Sequence, residues 1–207
     1  MDLFTNQNFL LYLGVYLLAG VPFGYVLAKI FAGVDIKNEG SGNIGATNVI
    51  RVVKQKNPKL AKILGGVTFF LDAIKGIVVI LIAQYLDAPH SVLWTIAVLA
   101  VVGHCFSPFL AFEGGKGVAT GFGSVAYLVP IPAFIAIGIW FVMARVLKIS
   151  SLSSLIAVLS MLVLSYIIYP TMPHITSHSP LWIIAMIITY KHVPNIIRLF
   201  QKEEIKV

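Results

Sequence analysis

The chain has 207 residues, of which 58% are apolar and only 11% are Asp, Glu, Lys or Arg, and its formal net charge is +7. Soluble domains run nearer 45–50% apolar and about 25% charged, so this chain has too few polar side chains to cover a water-facing surface, and an ordinary soluble fold is excluded. The single cysteine, Cys105, excludes an intramolecular disulfide and a multi-cysteine metal site.

A bilayer core about 30 Å thick takes roughly 20 apolar residues of helix. The apolar blocks predict an all-α polytopic membrane protein with about seven spans, near 8–31, 60–86, 91–110, 117–130, 131–147, 152–170 and 180–200. The 117–130 block is short and runs into Pro130-Ile131-Pro132, so it reads with its neighbour as two spans or as one re-entrant hairpin; five is the alternative count. Nothing basic precedes the first block, which is also too long for the h-region of a signal peptide, and it reads as a span. Residues 1–207 read as one integral membrane domain.

Basic residues near span ends favour the cytoplasmic side. Fourteen of the fifteen Lys and Arg fall beside alternate loops and the C-terminus, while 87–90, the turn around 131 and 171–179 carry none. Seven spans then put the N-terminus outside and the C-terminus in the cytoplasm. The basic inner face suits anionic lipids and anionic substrates, with no sign of a nucleic-acid module.

The exception is Lys75, three residues after Asp72 inside the second span, where ionisable groups are costly unless paired or facing a cavity. The two read first as a structural ion pair and second as lining of a polar site. Gly20, Gly24, Gly65, Gly66, Ser154 and Ser160 read as small residues that let helices approach. On the outer side His174 and His178 stand four apart with no carboxylate or cysteine nearby, a poor metal site.

Polar residues gather instead in three inner segments. Gly40-Ser41-Gly42-Asn43-Ile44-Gly45-Ala46-Thr47-Asn48 leads into a stretch where Ala46, Val49, Ile50 and Val53 share a helix face. A glycine-rich loop whose N–H groups open a helix is an anion site, and Thr47, Asn48 and Arg51 add donors within one turn. The blander reading is a flexible loop before an interfacial helix. The second segment holds Gly103-His104 and then Glu113-Gly114-Gly115-Lys116-Gly117-Val118. It is superficially like a nucleotide P-loop, but Leu110 and Gly117 stand where a glycine and a Ser or Thr are required. Glycine amides and one lysine at a helix start still favour phosphate, against a tight turn whose lysine snorkels. In the third segment His192, Asn195 and Arg198 border one pocket, or else form a basic stop after the last span. Three such segments on one side imply a shared site with two phosphate-friendly cradles, hence two anionic ligands.

These residues resemble the bacterial acyl-phosphate-dependent glycerol-3-phosphate acyltransferases of the inner membrane, the PlsY type. The matching stretches are GSGNIGATNVIR (40–51), LDAIKG (71–76), GHCFSPFLAFEGGKGVAT (103–120) and HVPNIIRL (192–199). By this resemblance Ser41, Asn43, Thr47, Asn48 and Arg51 fall on the first motif, His104, Gly114, Gly115, Lys116 and Gly117 on the second, and His192, Asn195, Arg198 and Glu204 on the third. The chain departs at Glu113, Lys191 and Lys202, where the family tends to have a basic residue, an arginine and a glycine, and Pro194 is atypical. The resemblance implies acyl transfer from acyl phosphate to the 1-hydroxyl of sn-glycerol 3-phosphate, giving lysophosphatidic acid and inorganic phosphate, at the cytoplasmic face. It also implies membrane lipid and the acyl-phosphate-producing enzyme as partners.

An acyl phosphate is already activated, so the site need mainly hold a hydroxyl against its carbonyl and stabilise departing phosphate. Lys116 and the glycine N–H groups are expected to bind the acyl-phosphate head. Arg51, Ser41 and Asn48, helped by His192, Asn195 and Arg198, are expected to bind glycerol 3-phosphate. His104 and His192 are the protein candidates for general base, with a substrate phosphate as a third acceptor. Neither a His-x4-Asp pair nor a Gly-x-Ser-x-Gly elbow occurs, which favours direct transfer without an acyl-enzyme. Nothing in the sequence points to a metal or organic cofactor. The competing class is a carrier of phosphate or a small organic anion, which calls for polar midplane residues and internal repeats; only Asp72 and Lys75 lie at depth. A rhomboid-like protease needs Gly-x-Ser-Gly, and Glu39 precedes Gly40-Ser41.

Overall fold

A computed structural model describes residues 7–173 and 175–205. Among them the regular structure is all helical: α1 (Gln7–Gly20), α2 (Phe23–Ala32), α3 (Ala46–Val53), α4 (Pro58–Tyr85), α5 (His90–Cys105), α6 (Val118–Leu128), α7 (Pro130–Leu147), α8 (Ser150–Ile168), α9 (Ser179–Lys191) and α10 (Val193–Phe200), with a 3₁₀ turn at Pro108–Leu110. His174, one of the outer histidine pair, and Lys206 lie outside the described residues.

Five helical segments are long and apolar enough to cross a membrane: Asn8–Ala32, α4, His90–Leu110, α7 and α8. Three of the sequence blocks, the first of them a span as expected, are not single long helices. The first is two helices, because Pro22 has no N–H to continue the ladder. The last bends by 56° after Lys191, so that α9 and α10 make a sixth crossing only as a broken span. The 117–130 block folds as an 11-residue helix, α6, about 16 Å long at 1.5 Å per residue and shorter than a bilayer core.

The break between α1 and α2 accounts for the deep lysine. Carbonyls freed in hydrocarbon cost several kcal/mol each unless paired. Here Ser107 Oγ donates to the Gly20 carbonyl at 2.6 Å and Lys75 Nζ to the Val21 carbonyl at 2.9 Å. Lys75 Nζ also lies 2.8 Å from Asp72 Oδ1 and 5.5 Å from the centre of the Phe23 ring.

Short α6 is held close to α4 by paired small residues. A Cβ on Gly123 would collide with the Ala73 carbonyl oxygen, and one on Gly76 would come within 2.5 Å of that of Thr120. This contact fixes where the first turn of α6 stands. One core cluster joins α1, α4, α5, α6, α7, α8 and α9 around Trp94, Ile96, Val101 and Ile184. A second packs α3 against α2 and α4 through Val49, Val52, Val53 and Leu64. Along α3 the buried residues are Asn48, Val49, Val52 and Val53, so Asn48 and Val52 join the inner face while Ala46 and Ile50 sit at its edge.

Candidate active site

Where the helices open at the end carrying the three polar segments, a cavity of about 130 Å³ is lined from all of them. The first segment contributes Ser41, Asn43, Thr47, Asn48 and Arg51, the second His104, Lys116 and Gly117, and the third His192 and Asn195. Gly114, Gly115 and Arg198 do not line it. Asp72 and Phe69 of α4, Trp140 of α7, Ser150, Ser151 and Ser154 of α8, and Glu204 and Ile205 of the C-terminal tail complete the wall.

The first turns of α3, α6 and α8 all border this cavity, through Ala46 and Thr47, Val118 and Ala119, and Ser150 and Ser151. Each helix start carries partial positive charge from its terminal N–H groups, worth about 0.3–1 kcal/mol to a nearby anion. Gly45 and Gly117 cap the first two, Gly117 at a φ of 81° that favours glycine. The serines of α8 escaped the sequence reading, in which Ser154 stood as a packing residue. Their signal was present: a run of serines opens that span on the basic side.

The glycine segments are built differently from expectation. Asn48, 2% exposed, spends most of its amide on its own loop: Nδ2 donates to the carbonyls of Ile36, Glu39 and Asn43 at 2.8–3.1 Å, and Oδ1 accepts from the Ser41 N–H at 2.8 Å and from Arg51 Nη1 at 3.4 Å. Asn43 Oδ1 accepts from the Gly45 N–H at 2.8 Å, and Thr47 Oγ1 meets Ser150 Oγ at 3.1 Å, tying α3 to α8. In the second segment the Gly114 and Gly115 N–H groups donate to the carbonyls of Cys105 and His104 at 3.1 and 3.0 Å. These two amides therefore face the end of α5, and the glycine cradle expected there reduces to Lys116 and Gly117.

Two cations stand in the cavity. Burial lowers the Arg51 pKa, Glu204 opposing and Arg198 adding to the shift. Lys116 is pushed down to about 8, first by burial and then by Arg198 and Arg51, against the pull of Glu204. A site that strains its cations in this way is short of negative charge and favours an arriving anion. Glu204 supplies some: its Oε1 accepts from Ser151 Oγ at 2.7 Å and Asn195 Nδ2 at 2.6 Å, and its Oε2 from Arg198 Nε at 2.8 Å. Burial raises the Glu204 pKa, but those bonds together outweigh it and the net shift is downward. Arg198 thus reaches the cavity through Glu204.

His192, 1% exposed, lies 2.7 Å through Nδ1 from the Ile188 carbonyl, so Nδ1 carries the proton and Nε2 is the accepting nitrogen. His104 turns Nδ1 toward Asp72 Oδ1 at 3.6 Å. Among the described residues no cluster of three His, Cys, Asp or Glu is placed to hold a metal ion; His178 is stacked on Tyr166 with ring centroids 3.8 Å apart.

The four departures from the resembled motifs fit locally. Glu113 pairs with Lys37 at 3.3 Å on the surface. Lys191 Nζ sits 5.1 Å from the centre of the Phe106 ring. Pro194 falls in the first turn of α10, where its missing N–H costs nothing. Lys202 has φ 62°, the left-handed conformation in which a glycine would be unstrained.

Below the polar cavity an apolar pocket of about 40 Å³ runs between α6, α7, α8 and α9, bounded by Phe122, Ala136, Met161 and Ile184 among others. The two share Val118, Ile137 and Trp140 as common wall. The Trp140 indole is held by a 3.0 Å hydrogen bond to Ser154 Oγ.

A family model described as glycerol-3-phosphate acyltransferase matches residues 9–202. A protein of that name from a Nitratiruptor species is 56% identical over 207 residues, covering 100% of this chain and 99% of that protein. The Aliarcobacter butzleri protein of the same name is 54% identical with 100% of both chains covered. Two crystal structures of PlsY (YgiH), an integral membrane glycerol 3-phosphate acyltransferase, in its glycerol 3-phosphate and lysophosphatidic acid forms, align with TM-scores of 0.81 and 0.80 at 31% identity, covering 98% and 97% of this chain and 96% and 95% of theirs. The cavity of cations and helix starts, the three motifs that line it and these matches across nearly the whole chain agree: the chain belongs to the glycerol-3-phosphate acyltransferase family.

Proposed function

We propose that this chain transfers a fatty acyl group from acyl phosphate to the 1-hydroxyl of sn-glycerol 3-phosphate, releasing lysophosphatidic acid and inorganic phosphate. It acts as one membrane domain in the bacterial inner membrane. Counting short α6 and the bent α9–α10 pair with the five long segments gives seven spans, with the N-terminus outside and the cavity open to the cytoplasm. The alternation of basic and uncharged loops supports that orientation.

One observation carries the reading: Lys116, Arg51 and three helix starts converge on a cavity that shares a wall with an apolar pocket. The polar part suits two phosphorylated head groups, and the apolar part suits the first methylenes of an acyl chain. Lys116, with the start of α6, binds the acyl-phosphate head. Arg51 and Ser41 bind glycerol 3-phosphate, with the α8 serines as further donors, while Asn48 holds their loop in shape. His192 and Asn195 close the site from the other side.

The chemistry is direct transfer. The 1-hydroxyl oxygen forms a bond to the acyl carbonyl carbon, the carbon–oxygen bond to phosphate breaks, and phosphate leaves with the electron pair. Lys116 and the α6 N–H groups offset charge on the leaving phosphate, an electrostatic role worth about 10²–10³ in rate for one lost donor. His104 turns Nδ1 toward Asp72 and its opposite edge bears on Gly115, so we assign the hydroxyl proton to a substrate phosphate oxygen or to His192 Nε2. His192→Gln separates these: a loss in kcat of about 10² or more assigns the proton to His192, and a near-normal kcat assigns it to phosphate.

The test is purified protein in detergent given labelled glycerol 3-phosphate and an acyl phosphate. Equimolar lysophosphatidic acid and inorganic phosphate are expected. Absence of product, with labelled anion instead accumulating inside proteoliposomes, would favour the carrier reading.

A further inference from the structure

His104 and Asp72 line the cavity but are only 4% and 3% exposed, and the proton assignment above leaves both without a chemical task. Asp72 Oδ1 is in ionic contact with Lys75 Nζ, yet neither it nor His104 Nδ1 has a partner in hydrogen-bonding geometry. They face one another at 3.6 Å, a gap that a small ring rotation closes. A histidine presenting Nδ1 to a carboxylate keeps its proton there, and the opposite edge of the ring is then fixed. That edge bears on Gly115: a Cβ added there would overlap His104 Nε2 and lie 2.9 Å from Cε1. Glycine is required at 115 because the imidazole fills the side-chain space.

The same strap is tied from behind, since the Gly114 and Gly115 N–H groups bond the last carbonyls of α5. Lys116, the next residue, enters the cavity. A continuous set of contacts therefore runs from the Val21 carbonyl through Lys75, Asp72 and His104 to Gly115, ending one residue short of the cation.

We propose that Asp72 and His104 are positioning residues for Lys116: the lysine-anchored carboxylate holds the imidazole upright, and the imidazole sets where the Gly114–Lys116 strap lies and so where its ammonium stands. The role rests on the acyltransferase reading above and deepens it by naming what aims the leaving-group cation.

The location of Lys116 is measurable separately from fold. It is faced by Arg51 from α3, Arg198 from α10, Glu204 from the tail and His192 at the α9–α10 bend, and its pKa is near 8 against an ordinary 10.5. Activity that needs the ammonium loses kcat/KM as pH rises through that value, and a lysine released toward water moves the alkaline limb upward. The experiment compares His104→Ala, Gly115→Ala, their combination, and Asp72→Asn paired with Lys75→Met, by kcat/KM over pH and by thermal unfolding in detergent.

The expected result is folded protein with kcat/KM down about 10²-fold, as for a misplacement near 1 Å, and an alkaline limb displaced toward 10.5. The combined variant is expected to be no worse than His104→Ala, because the new methyl enters the space the ring vacates. An unmoved limb in the variants that fold, simple multiplication of the two single losses, or failure of all variants to fold overturns the proposal. Parent protein that makes no lysophosphatidic acid defeats the functional reading instead; active parent with indistinguishable variants defeats only the positioning role.

Discussion

The two glycine-rich segments look alike on paper and are built on opposite plans. In residues 40–48 the scaffold is a side chain: Asn48 ties three carbonyls together and the backbone wraps around it. Gly40, at φ 65°, passes so close that a Cβ would overlap Asn48 Oδ1. In residues 114–117 the scaffold is backbone, clamped to the end of α5 and resting on the His104 ring. Glycine in both places makes room for a neighbour, and on the proposed function the anion is met chiefly by Arg51, Lys116 and helix starts. A glycine-rich loop therefore signals close packing before it signals an amide cradle.

Removing the cations should show the largest effect. Lys116→Ala or Arg51→Ala is expected to lower kcat/KM by about 10²–10³ with little change in unfolding temperature, because each side chain stands in the cavity. Initial rates of lysophosphatidic acid formation check this. Disturbing the scaffolds comes next and should separate the segments. Asn48→Ala leaves the carbonyls of Ile36, Glu39 and Asn43 without their donor, at about 1–3 kcal/mol for each group left buried and unpaired. Its loss should appear first in thermal unfolding. Gly115→Ala should appear first in kinetics, since the strap shifts while its backbone clamp holds.

The pH dependence sharpens the contrast further. Lys116 is held near 8, chiefly by burial, so kcat/KM in the parent enzyme should fall as pH rises through about 8. Glycerol 3-phosphate arriving beside the ammonium favours its charged form and raises that value, so binding at pH 8.5 should take up protons, as calorimetry in buffers of different ionisation enthalpy will read. The smallest effect is expected at the tie between α3 and α8. Thr47→Val removes the 3.1 Å hydroxyl contact to Ser150 at a cost of about 1 kcal/mol, with a correspondingly slight change in KM for glycerol 3-phosphate.

Much of this was legible from the chain alone, for physical reasons that also mark where legibility ended. Span-length apolar blocks and the one-sided distribution of Lys and Arg are properties of linear sequence, and so are glycine-rich turns followed by helix. The break at Pro22 went unread inside the 8–31 block, and the Gly20 and Val21 carbonyls that it frees, with their partners Ser107 and Lys75 from distant segments, follow only from packing. Lys75 consequently looked like half of an isolated ion pair. Asn48 showed amide chemistry without showing which groups it would satisfy. Ser154 read as a helix-packing residue and Ser150 and Ser151 were passed over, because a run of serines at the start of a span does not itself say whether it faces a cavity or a helix; their place in the same wall as Arg51 follows only from packing. Asp72 combined both interpretations, since its carboxylate is paired with Lys75 and also lines the site.

The central claim is that one cavity gathers both phosphorylated reactants, the acceptor's phosphate against Arg51 and the donor's against Lys116. Calorimetric affinity for glycerol 3-phosphate, measured at pH 7 on the parent protein and on Arg51→Ala and Lys116→Ala, tests it most directly. The account predicts saturable binding by the parent, affinity reduced by about tenfold to a hundredfold in Arg51→Ala, the 1.5–3 kcal/mol of a hydrogen bond to a charged group, and a smaller loss in Lys116→Ala, whose ammonium faces the donor. Equal affinity in all three proteins would contradict it.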